Sequence, residues 1–195
     1  ELKKYGTAEA KNFDEATVMF TDFKNFTQAS ERMSATELVR EIHYCYSEFD
    51  KIITRYGLEK IKTIGDSYMC AGGLPLPDVL GAEKAVLAAL DILDFMSTEM
   101  QRRKEKDEPF FEIRIGLHTG PVVAGIVGIK KFAYDIWGDT VNIASRMESS
   151  GESGKLNISG STYKLVSAKF NCIARGKVEA KNLGMIDMYF VQKTI

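Results

Sequence analysis

Ala16-Thr17-Val18-Met19-Phe20-Thr21-Asp22-Phe23, read together with Ile64-Gly65-Asp66-Ser67-Tyr68, decides the fold. The first stretch is β-branched and aromatic and closes on an aspartate, which reads as a buried strand running into a turn and a helix. In the second, Gly-Asp stands between the extended segments Leu58–Ile64 and Tyr68–Ala71, a tight-turn signal between hairpin arms. A strand laid beside that hairpin brings Asp22 and Asp66 to one sheet edge. Paired carboxylates suit a hard cation such as Mg²⁺ or Mn²⁺, whose remaining ligands come from water or phosphate. Spacing alone leaves a second reading open, in which Asp22 caps the next helix and Asp66 fills the turn.

Outward from this stretch, Asn25 to Met33 reads as a short helix, and Ser34-Ala35-Thr36-Glu37 as a capping box. The box opens a helix to about Tyr56, ended by Gly57. Alternation in Lys60-Ile61-Lys62-Thr63 puts both lysines on one strand face. An amphipathic helix is expected over Val79–Arg103. Strands are expected at Phe110–His118 and Pro121–Val127, antiparallel neighbours joined through Thr119-Gly120. Asp139 or Thr140 caps a helix to about Ser150. A strand at Leu156–Ser159, a helix at Thr162–Val166 and strands at Phe170–Ala180 and Met188–Gln192 complete the chain. The class is α+β, with helices packed on one face of a mostly antiparallel sheet. Its core is ferredoxin-like (split βαβ), with additional C-terminal strands and helices.

Composition sets the limits. The 195 residues, 45% hydrophobic and 27% charged, make one domain with a substantial core, residues 13–195, preceded by the polar end of an upstream linker, residues 1–12. A net charge of −1 argues against a nucleic-acid binder. Cys45, Cys70 and Cys172 form no pair at ligand spacing and read as reduced thiols of a cytoplasmic protein. The most apolar helical stretch carries Glu83, Lys84, Asp91 and Asp94, so no membrane segment is expected. The chain opens on Glu1, as expected of a domain cut from a longer protein whose upstream sensor is missing. His43 and His118 lack a nucleophile or second ligand at useful spacing and read as structural.

Four blocks stand in order: Phe20-Thr21-Asp22-Phe23-Lys24-Asn25-Phe26-Thr27, Lys60-Ile61-Lys62-Thr63-Ile64-Gly65-Asp66-Ser67-Tyr68-Met69, Gly116-Leu117-His118-Thr119-Gly120-Pro121-Val122-Val123-Ala124-Gly125-Ile126-Val127-Gly128, and Tyr134-Asp135-Ile136-Trp137-Gly138-Asp139-Thr140-Val141-Asn142-Ile143-Ala144-Ser145-Arg146-Met147. Together they resemble the catalytic domain of the class III nucleotidyl cyclases, close to the branch of the mammalian membrane adenylyl cyclases. The resemblance runs from about Phe13 to the C-terminus. It implies conversion of ATP to 3′,5′-cyclic AMP and pyrophosphate by in-line attack of the ribose 3′-hydroxyl.

The resemblance further assigns Asp22, Asp66 and the Phe23 carbonyl to two divalent ions, Mg²⁺ or Mn²⁺. It assigns the amides of Lys24, Asn25, Phe26 and Thr27, with Lys181, to the phosphates. At the block around Lys181, Asn182 stands where a glycine is frequent. Asn142 would position the ribose and Arg146 would meet charge growing on the α-phosphate. Lys62 and Asp135 would read the base, the family register choosing Lys62 over Lys60. Lysine only donates and an ionised aspartate only accepts, which fits adenine N1 and N6 and mismatches guanine. The family's guanylyl members usually carry glutamate and cysteine there. The resemblance also implies a homodimer with shared sites, and Trp137 at the subunit interface or pocket rim. Alternatives are a guanylyl or mixed cyclase, or a silent nucleotide-binding regulatory domain.

Overall fold

The computed structural model describes residues 9–24, 26–128, 132–180 and 182–193. Strand β1, Lys11–Lys24, is longer than its apolar run and reaches back into the segment read as linker. Backbone pairing carries it: Lys11, Asn12 and Phe13 pair with Ala124, Val123 and Val122. Helix α1, Phe26–Glu31, follows, then α2, Ala35–Tyr56. The start of α2 has the expected capping box. Ser34 N–H donates to Glu37 Oε2 at 2.8 Å, and the Ser34 hydroxyl accepts from Glu37 N–H at 3.3 Å. Gly57, in the left-handed region at φ 70°, closes it.

The hairpin of β2, Glu59–Ile64, and β3, Ser67–Gly72, turns through Gly65 at φ 61°. Next come α3, Gly81–Lys104, β4, Glu112–Val127, β5, Ala133–Trp137, and α4, Asp139–Ser149. Then β6, Leu156–Ser159, α5, Gly160–Val166, β7, Asn171–Ala180, and β8, Gly184–Gln192, end the described chain. Sheet order is β2-β3-β1-β4-β6-β8-β7, with β5 also on β4. The first four strands have the order of a ferredoxin-like core, and the fold is α+β. The β4–β6 pairing is parallel and the others are antiparallel.

Helices cover both faces of the sheet rather than the one expected. Val18 and Met19 are consecutive and both fully buried, so neither face of β1 meets water. Met19, Phe23, Tyr68, Cys70, Ile115 and Leu117 pack with side chains of α2 and α3, such as Phe49 and Ile92. On the other face Val18, Phe20, Met69, Val122 and Ile136 pack with Ala144 of α4. The three cysteines are free.

Two further differences from the sequence reading have clear causes. Thr119-Gly120 does not reverse the chain, and β4 runs straight through it. Pro121 sits opposite a bulge in β1, where the register shifts between Phe13 and Ala16. On its other edge β4 pairs with β6 only through Leu117 and with β5 only from Val123. A residue without N–H is tolerated at such a gap, and the Pro121 carbonyl accepts from Thr140 Oγ1 at 2.7 Å. Second, Lys60 and Lys62 lie on opposite faces. Lys60 pairs with Cys70 and Lys62 with Met69, so Ile61 is the extra residue of a bulge. Lys60 goes to Asp50 of α2 at 2.9 Å, and its ammonium stands over the Tyr68 ring.

Gly116 lets α4 lie against β4. A Cβ there would come within 1.9 Å of the Glu148 nitrogen and 2.4 Å of the Met147 carbonyl carbon, both backbone atoms that cannot swing away. Gly116→Ala should cost about 3 kcal/mol, the upper part of the overpacking range. Urea unfolding checks this, and a loss under about 0.5 kcal/mol, the level of an ordinary surface change, would contradict it.

Candidate functional site

The site grows from the register of β1 on β3. Asp22 pairs with Ser67, which places it beside Asp66 in the preceding turn. The Ser67 hydroxyl donates to Asp22 Oδ1 at 2.8 Å, and Arg114 Nη2 donates to Oδ2 at 3.1 Å. Burial, and after it the charge of Asp22, raise the Asp66 pKa above the ordinary carboxylate value. The two aspartates are therefore neighbours, as the sequence suggested. Among the described residues no cluster of three or more His, Cys, Asp or Glu side chains converges as metal ligands. Two carboxylates are nonetheless a donor set that a hard cation accepts when water and phosphate supply the rest.

Arg114 and Glu148 escaped the sequence reading. Arg114 lies directly opposite Asp22 on β4. Its Nε donates to Glu148 Oε1 at 2.9 Å while its Nη2 holds Asp22. Glu148, in the last turn of α4, is buried and has its pKa pushed up to about 7. Burial is the main cause; Arg114 opposes it, and the charges of Asp22 and Asp66 add to it. The available signal was an arginine in an alternating strand, two residues from a glycine. Its meaning depends on a register that spacing does not supply.

The base-reading candidates also meet. Lys62 Nζ donates to Asp135 Oδ2 at 2.6 Å, linking β2 to β5 on the α4 face. The Asp135 Oδ1 accepts from the Ile136 backbone N–H at 2.8 Å, which fixes the carboxylate direction. Asn142 and Arg146 lie one turn apart on α4, Asn142 exposed and Arg146 half-buried. Among the described residues, no hydrogen bond or ion pair joins either of them, or the Lys62–Asp135 pair, to the two aspartates.

Around the phosphate-loop candidates, the Phe23 ring is buried against Phe111 at 4.8 Å, leaving its backbone at the strand end. Lys24 and Thr27 are exposed and Phe26 is half-buried. Asn25 and Lys181 lie outside the described residues. His118 is structural: it is buried, its Nδ1 is 2.7 Å from Ser159 Oγ, and burial lowers its pKa to about 4. Trp137 is 41% exposed on β5.

The sequence matches the family model described as adenylate and guanylate cyclase catalytic domain over residues 8–193. It is 37% identical over 182 residues to an adenylate cyclase of Mycobacterium tuberculosis, covering 93% of this chain and 40% of that protein. It is 35% identical over 192 residues to the guanylate cyclase soluble subunit beta-2 of Rattus norvegicus, covering 98% of this chain and 28% of the relative. The crystal structure of the adenylyl cyclase CyaB from P. aeruginosa matches with a TM-score of 0.90 at 30% identity, covering 96% of this chain and 98% of that one. The chain thus spans less than half the length of these two sequence relatives.

Glu148 gives the site a pH signature. Between its ordinary value of 4.5 and about 7, the folded chain keeps a proton that the unfolded chain has released. Stability from this group is therefore present at low pH and drains away as pH rises through that window. His118 acts in the opposite sense but is common to wild type and variant. Glu148→Gln should gain on the wild type by on the order of 2–3 kcal/mol between pH 5 and pH 8. Urea unfolding in chelator measures it, and a pH-independent difference would refute the assignment.

Proposed function

The chain belongs to the family of adenylate and guanylate cyclase catalytic domains, and on that premise we propose that it converts ATP to 3′,5′-cyclic AMP and pyrophosphate. The observation that carries the choice of base is the Lys62–Asp135 pair, 2.6 Å apart, between β2 and β5, two strands that do not pair with each other. An ammonium donor beside a carboxylate acceptor matches adenine, which accepts at N1 and donates from N6. Guanine offers the reverse pattern and would leave both groups unpaired, a mismatch that a built site can reject by about 10⁴. The β2 bulge supports Lys62 as the reader, since Lys60 is turned away to Asp50.

In this reading Asp22, Asp66 and the Phe23 carbonyl hold two divalent ions, Mg²⁺ or Mn²⁺. The bound ions would make the ribose 3′-hydroxyl more acidic and offset the triphosphate charge. Asn142 orients the ribose. As the O3′–phosphorus bond forms and the bond to pyrophosphate breaks, the Arg146 guanidinium donates to the α-phosphate oxygens. A donor aimed at developing charge is worth about 10²–10³ in rate. The amides from Lys24 to Thr27, together with Lys181, hold the outer phosphates.

Among the described residues of one chain, no hydrogen bond connects the aspartate pair to the Lys62–Asp135 pair. That supports a homodimer in which each site takes Asp22 and Asp66 from one copy and Lys62, Asp135, Asn142 and Arg146 from the other. Apolar side chains exposed on the hairpin, β4 and β5 (Ile64, Val127 and Trp137) support a partner surface. An upstream sensor and a cytoplasmic location belong to the same reading. The rat relative named as a guanylate cyclase keeps GTP as the second reading.

Lys62→Glu combined with Asp135→Cys should move preference from ATP toward GTP by at least about tenfold, read as cyclic nucleotide formed from each; retained ATP preference would remove this account of base choice. Asp66→Asn and Arg146→Ala proteins should each lose about 10²-fold or more in rate, while their mixture regains activity through the heterodimer's one intact site. A mixture that stays inactive although heterodimers form would exclude shared sites.

A further inference from the structure

Tyr46 lies on α2 with its ring packed against aromatic residues that follow the two aspartates in the chain. Its ring centroid is 5.9 Å from that of Phe23, which follows Asp22, and 5.3 Å from that of Tyr68, two residues past Asp66. Phe49 adds a third contact at 5.9 Å. This packing fixes the ring and therefore the direction of the hydroxyl. Neighbouring tyrosines use theirs: Tyr68 donates to Asp50 at 2.6 Å and Tyr56 to Asp91 at 2.7 Å. The Tyr46 hydroxyl oxygen is buried and has no hydrogen-bond partner among the described residues. A buried hydroxyl left unpaired costs about 1–3 kcal/mol, and phenylalanine would fill the same space without that cost.

The carboxylate charges that act on this hydroxyl are those of the candidate ion ligands. Burial is the main cause that raises its pKa, followed by the charges of Asp66 and then Asp22. We propose that Tyr46 is a positioning residue for the divalent-ion site, its hydroxyl donating to the Asp66 carboxylate once that group holds an ion. This rests on the reading of Asp22 and Asp66 as ion ligands. An ionised carboxylate has about four lone-pair sites, so binding an ion leaves acceptors free for a second-sphere donor. Such a donor fixes the ligand's orientation, and its removal typically weakens metal affinity about 10–100-fold.

Tyr46→Phe keeps the ring and deletes the hydroxyl. Titration with Mn²⁺ alone, followed by the paramagnetic resonance of free Mn²⁺, should show affinity weakened about tenfold. Melting of the same variant in chelator should be unchanged or raised. Unchanged Mn²⁺ affinity overturns the proposal, and so does a lowered melting temperature in chelator, which would make the hydroxyl a prop of the empty fold. Asp66→Asn separates the two levels. If it binds Mn²⁺ like wild type, the ion-site reading itself fails; if it loses Mn²⁺ while Tyr46→Phe does not, the tyrosine inference alone fails.

Discussion

Antiparallel pairing of β1 with β3 fixes where the acidic groups stand. Asp22 lies opposite Ser67, and the turn before Ser67 carries Asp66. A slip of one residue would turn Asp22 toward the α2 face and expose Val18 and Phe20 to the wrong core. Both faces of β1 are buried, so such a slip would misplace two hydrophobic clusters at once. The register that presents the carboxylates is thus held by apolar burial along the whole strand, not by the polar groups at its end.

The polar groups at that end are in tension. Asp22, Asp66 and Glu148 bring acidic side chains into a half-buried corner, and Arg114 is the cation that bridges two of them. Burial disfavours each charge, and the acids disfavour one another, which is why Asp66 and Glu148 hold protons more tightly than free carboxylates do. Such a corner favours any added positive charge that can approach it. Gly116 makes the arrangement possible, because only a residue without Cβ lets the end of α4 carry Glu148 over β4.

What could be read in the sequence was local. The Ser34–Glu37 box, the Gly57 stop and the Gly65 turn depend on neighbours a few residues apart, and each is found as expected. The split βαβ core followed from the order of apolar runs. Features set by distant partners were missed. Ile61 looks like one more alternating residue, and its bulge shows only against β3. Thr119-Gly120 looks like a turn, yet β4 runs through it, and Pro121 falls opposite a β1 bulge and between the reaches of β6 and β5. β5 itself is five residues long and half-exposed, too short for periodicity to reveal. The same limit hid Arg114 and Glu148, whose roles arise only when β4, β1 and α4 meet.

The Lys62–Asp135 contact has a consequence for how the proposed pocket would choose its ligand. Without a nucleotide, the donor and acceptor already satisfy each other, with Asp135 mostly shielded and Lys62 partly open to water. A partly exposed ion pair is worth only about 0–1 kcal/mol, so surrendering it is cheap. An incoming nucleobase would therefore swap places with an internal contact instead of adding a new one. In such an exchange the right base gains little net grip, whereas the wrong one forfeits the contact and receives nothing, so discrimination can be sharp even where hold is loose.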